Sequence, residues 1–110
     1  MKRLFLIAAM ALLMVSCGNS YIENYEAICS DAKEQVEAAS SVKEVMSIMK
    51  QMRSDINELN EEYPEEAEKY SKANPSNEAV DKIYYQRVRA FNAVNAAASA
   101  MRRKLLSGKK

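Results

Sequence analysis

Fifteen carboxylates, six tyrosines and two cysteines are the side chains with chemistry to offer, and the sequence holds no histidine. Without imidazole the chain lacks the usual general base near neutral pH and the commonest metal ligand. The carboxylates crowd around Pro64, as Glu61, Glu62, Glu65, Glu66 and Glu68. General acid–base catalysis needs two carboxylates in unlike surroundings, one with a raised pKa. A run of glutamates around a proline turn reads instead as a solvated face. Calcium loops space their oxygens around a glycine turn, and no such spacing occurs. Cys29 has no histidine to activate it and falls on an apolar helical stripe, so it reads as a small buried hydrophobe. The expectation is a protein without catalytic residues, metal or cofactor, and therefore not an enzyme.

Charge is more informative than nucleophiles. Residues 21–70 carry 13 acids and 5 bases, whereas residues 71–110 carry 2 acids and 9 bases. Arg102, Arg103, Lys104, Lys109 and Lys110 put five cations within the last nine positions. That segment is the candidate contact for an anionic partner, and its plainer role is to complement the dipole at a helix end. Tyr21, Tyr25, Tyr63 and Tyr70 fall near expected helix ends, where tyrosines close off a small core with their hydroxyls in water. Met46, Met49, Met52 and Met101 sit at helical spacing, which is core spacing first and an adaptable binding face second.

The amino terminus is built for export. Lys2 and Arg3 precede an uncharged apolar run over residues 4–15. As a helix that run spans about 18 Å, too short for a hydrocarbon layer of roughly 30 Å, so it reads as the core of a signal peptide. The stretch that follows, Leu13-Met14-Val15-Ser16-Cys17-Gly18-Asn19, resembles the lipobox of bacterial lipoprotein precursors. Met14 stands where that family usually has leucine, with Leu13 beside it. The resemblance implies a signal peptide over residues 1–16, cleavage before Cys17, and a diacylglyceryl group on the Cys17 thiol. Residues 17–20 become a lipidated linker to the membrane. The Ser-Cys-Gly-Asn junction is similar to lipoproteins of the Bacteroidota, some of which add an acidic cluster after the cysteine for surface export. No acid occurs in Gly18-Asn19-Ser20-Tyr21-Ile22, which favours the periplasmic face over the cell surface. Ordinary signal cleavage without lipid is the rival reading.

The elements behind these residues are helical. Two Gly, two Pro and 48% hydrophobic residues leave few turns for a sheet protein. Ile22, Tyr25, Cys29, Ala32, Val36 and Ala39 form one stripe, and Val42, Val45, Met49, Met52, Ile56, Leu59 and Tyr63 form a second. The stripes fall out of phase at Ser40–Ser41, where Ser41 and Glu44 match a capping box. Pro64 stops the second helix and can open a short one at its own first position. Residues 71–77 have loop chemistry, Ser76 or Asn77 caps a third helix, and its apolar face is Val80, Tyr84, Val88, Phe91, Val94, Ala98, Met101 and Leu105. The spacing predicts helices over residues 21–39, 42–62 and 77–106, with a basic tail at 107–110. Three singly striped helices bury those stripes against one another, so the expected fold is all-α, a small three-helix up-down-up bundle over residues 21–106. The alternative is a long helical hairpin in which residues 21–62 form one continuous helix. The heptad-like stripes would equally serve self-association, which leaves the oligomeric state open.

The mature part is similar to small helical Bacteroidota lipoproteins of unknown function, a likeness that carries no functional residues across. The functional expectation is a non-enzymatic protein-interaction or structural module of the cell envelope, anchored through Cys17 and facing an envelope protein. The alternative is a binder of anionic envelope lipid or polysaccharide through the basic C-terminal segment. Nucleic acid is excluded by the exported location.

Overall fold

Ser41 decides where the first helical stretch gives way to the second. Its backbone is extended (φ −149°, ψ 157°), and its hydroxyl accepts the Glu44 N–H at 3.1 Å. The Glu44 carboxylate reaches back to Ser40, accepting its N–H at 2.9 Å and its hydroxyl at 3.2 Å. Three donors are satisfied at one chain reversal, so no glycine or proline is needed to stop the helix before it.

The computed structural model describes residues 20–108, and these form four helices: α1 (Ser20–Glu37), α2 (Val42–Glu62), α3 (Pro64–Lys69) and α4 (Glu78–Gly108). The signal segment 1–16, Cys17, Lys109 and Lys110 lie outside the described residues. Three long helices and no strand among the described residues make the fold an all-helical bundle. The break between α1 and α2 rules out the continuous 21–62 hairpin. α1 also ends two residues earlier than its stripe. The Ala38 N–H is shared between the carbonyls of Glu34 and Gln35, and Ala39 bonds back only to Val36, a tightened last turn. Ala39 is nonetheless buried.

Tyr63, ahead of the proline, leaves helical geometry at φ −125° and ψ 65°, and Pro64 opens α3 at its first turn. Asn77 rather than Ser76 caps α4, its side-chain oxygen accepting the Val80 N–H at 3.3 Å. Asp81 ties the loop down by accepting the Asn74 N–H at 2.7 Å. At its other end α4 runs through Ser107 to Gly108, so those two residues belong to the helix and not to the expected tail. The Ser107 hydroxyl donates to the Lys104 carbonyl at 3.3 Å. Arg102, Arg103 and Lys104 therefore sit one turn inside the end. The dipole effect fades within the last turn, so it accounts for them less well than the sequence suggests.

Chain direction follows from cross-helix contacts. The Tyr21 hydroxyl donates to Asn60 at 2.8 Å, which sets the start of α1 against the end of α2. Gln86 reaches Glu26 at 3.5 Å, and Arg87 lies over the Tyr25 ring, so α4 starts from that same end and runs alongside α1. The result is up-down-up, with α1 in the middle, packed most extensively against α4 and next against α2. A central helix needs an apolar face wider than one stripe. Tyr21 and Ile28 are buried along with Ile22, Tyr25, Cys29, Ala32 and Val36. The α2–α4 seam is thinner. The molecule measures 51 × 32 × 19 Å, and the smallest extent is about two helix diameters of 10–12 Å. α4 bears the consequence: Val80, Val94 and Ala98 are buried, whereas Tyr84, Val88, Phe91, Met101 and Leu105 are only partly covered. Among the described residues no helix is long and apolar enough to cross a membrane.

Candidate functional site

The base of the bundle is where α1 and α4 begin and α2 ends, with α3 beneath. Antiparallel pairing brings four tyrosines from three segments together there. The Tyr21 ring meets Tyr25 at 6.1 Å, Tyr63 at 6.2 Å and Tyr70 at 6.0 Å between centroids, all within the favourable range for aromatic pairs. Tyr21 is 1% exposed, and Tyr25 and Tyr70 are also buried. The expectation of hydroxyls standing in water fails for Tyr21, whose hydroxyl is spent on Asn60. Burial raises the Tyr21 and Tyr25 pKa values, and the nearby Arg87 charge opposes the rise at both.

Arg87 holds this base together. Its Nη1 donates to the Tyr70 carbonyl at 2.8 Å, and its guanidinium lies 5.1 Å from the centroid of the Tyr25 ring. A carbonyl on one edge and a ring on one face leave a planar guanidinium little freedom. Beside it opens a cleft of about 370 Å³, with Tyr25, Tyr84, Val88 and Phe91 as apolar walls and Ser71, Arg87 and Asn92 as polar ones. Cys29 is buried nearby. Burial pushes its thiol up to about 12, with Glu26 adding to the shift and Arg87 opposing it. It is an inert, protonated core residue, as the stripe predicts.

The far end differs in character. There α2 begins and the late turns of α4 pass beside it, leaving a groove of about 200 Å³ along the thin seam. Val45, Met49 and Ala98 are its buried floor, Met46 is 55% exposed, and Arg53 and Arg102 face it from opposite helices. Neither guanidinium has a carboxylate partner among the described residues. Arg103 and Lys104 are exposed on the turns beyond, and Leu106 is 65% exposed.

Of the five cations read from the sequence, Arg102 lines the far-end groove; Lys109 and Lys110 fall outside the described residues, as does Cys17. The sequence gives no sign of Arg53 or Arg87 as site residues. Nothing local marks either one, since each gains its setting from a helix distant in the chain. The buried carboxylate of Asp55, which accepts the Gln51 amide at 3.0 Å, was equally unmarked. Among the described residues no three metal-binding side chains converge. Comparison with protein-family models, with curated proteins and with solved structures finds no match.

Proposed function

We propose that this chain is a lipid-anchored module of the bacterial cell envelope, tethered through Cys17 on the periplasmic face, whose helical domain binds another protein without catalysing a reaction. The observation that carries this reading is the far-end groove, where an exposed Met46 is flanked by Arg53 and Arg102, neither of which has a carboxylate partner among the described residues. Apolar surface between arginines is interface chemistry, since Met and Arg are enriched at binding surfaces and other charges are depleted there. A partner presenting acidic residues around an apolar side chain fits it. A second reading, binding of anionic lipid or polysaccharide, draws on the exposed Arg102, Arg103 and Lys104. They stand about 30 Å of helix above the start of α1, several times the roughly 8 Å screening length of physiological salt. With the bundle upright on its tether, polysaccharide rather than the headgroups of the anchoring membrane is the ligand within reach.

In-cell photocrosslinking from position 46, with mass spectrometry of the adducts, tests the proposal. The expected result is one dominant protein captured through the groove, lost in the Arg53→Glu/Arg102→Glu double variant while the melting temperature holds. Cells carrying Cys17→Ser should lose both the lipid label and membrane retention. A companion probe at position 103 that captures only polysaccharide, with no protein captured from position 46, would promote the second reading instead.

A further inference from the structure

The Arg87 cleft at the base has a makeup that packing alone does not call for. Tyr84, Val88 and Phe91 belong to the apolar stripe of α4 and should be core, yet each is only partly covered. The wall they form faces a guanidinium that makes no ion pair among the described residues. Glu26, on the adjacent face of α1, accepts from Gln86. Arg87 is oriented before any ligand arrives, because the Tyr70 carbonyl and the Tyr25 ring already hold it. A guanidinium has five N–H donors in a planar fork, and after the Tyr70 carbonyl and the Tyr25 hydroxyl are served, donors remain for an acceptor in the cleft.

Size narrows the ligand further. About 370 Å³ lies at the small end of ligand sites, which run from about 300 to 1,000 Å³. It suits one flat ring with a short side arm. We propose that the cleft between α1 and α4 is a binding site for a small ring-bearing carboxylate, the ring packing against Tyr84 and Phe91 and the carboxylate pairing with Arg87. The ring replaces water on the partly covered stripe, and the carboxylate supplies the missing counter-charge. The site is separate from the far-end groove, so it stands or falls independently of the protein-interaction reading.

The test uses the chain as cells make it, purified in detergent, and titrates it with phenylacetate, 3-phenylpropionate and indole-3-acetate. Each acid is paired with its neutral amide, which has the same shape without the charge. Ligand-observed NMR reads affinity, and ring signals of isotopically labelled tyrosine report whether Tyr84 is touched. We expect saturable binding of at least one acid, with its amide about tenfold weaker or worse, the size of a charge-assisted bond. Arg87→Lys keeps the charge but loses the fork and should weaken that acid about tenfold. Tyr84→Leu should weaken acid and amide together, because it touches only the ring. The comparison of acid with amide on the unaltered chain remains decisive if a variant misfolds. Equal binding of acid and amide, acid binding indifferent to both substitutions, or no saturable binding by any of the three acids overturns the proposal.

Discussion

Arg87 and Arg102 sit on the same helix four turns apart, and the bundle uses them in opposite ways. At the base, Arg87 is fastened to the Tyr70 carbonyl and laid over the Tyr25 ring. Around it, rings from α1 and from the two residues that flank α3 close on one another. At the far end, Arg102 and Arg53 face a methionine-floored groove with no such fastening, and Met46 is open to solvent. Fastening a guanidinium to a carbonyl and a ring makes it architecture, and leaving it free makes it surface charge. The difference follows from what packs beside each guanidinium: the Tyr25 ring of α1 and the Tyr70 carbonyl at the base, and the thin α2–α4 seam at the far end.

Substitutions sharpen that contrast. Tyr21→Ala should be among the most damaging changes in the molecule, at about 3–5 kcal/mol, because it removes a buried ring and leaves a cavity. Met46→Ala at the far end should stay within about 0.5 kcal/mol, as exposed positions do. Urea unfolding measures both, and equal effects would erase the distinction between a packed base and an open end. Next in size, Arg87→Met should destabilise by about 1–3 kcal/mol by leaving the Tyr70 carbonyl without its donor. Arg102→Met should change stability little, and thermal melts of the pair decide the point.

The smallest effect appears only in alkali. Cys29 is held at about 12 in the folded chain against 9.0 for the free thiol, and Tyr21 and Tyr25 are also raised. The folded state therefore keeps protons that the unfolded chain gives up. Stability from these groups is intact below about pH 9 and falls between about pH 9 and 12. Cys29→Ala should flatten the first part of that decline whatever it does to the absolute stability. A slope identical to that of the unaltered chain would show that the thiol is not shielded as its burial implies.

Helix identity was readable because it is local. Ser41 and Glu44 announced the α1–α2 break, Pro64 announced α3, and Asn77 was one of two candidate caps for α4. Each works through backbone groups within a few residues of itself, and so each leaves a mark on the sequence. Most of the core was readable for the same reason. Ile22, Tyr25, Cys29, Ala32 and Val36 recur at helical spacing, and all are buried. The end of α4 was misread by two residues because the helix-forming run of arginine, lysine and leucine meets no stop before Gly108.

Periodicity names a face without saying how many neighbours cover it. One stripe on α1 was visible, yet Tyr21 and Ile28 are buried too, because a helix between two others is wetted on less of its circumference. On α4 the error runs the other way: Tyr84, Val88 and Phe91 read as core, and the flat arrangement leaves them half covered beside Arg87. Both candidate sites depend on that arrangement. Arg53 shares a groove with Arg102, and Tyr25 meets Arg87, only because α2 and α4 pack beside α1 in fixed directions. By itself the sequence determined the helices, their caps and the side chains able to be buried, since those rest on hydrogen bonds and spacing within a few turns. Which arginine is fastened, which is free, and which apolar stripe stays open was decided by tertiary packing alone, because contacts between segments remote in the chain have no local signature.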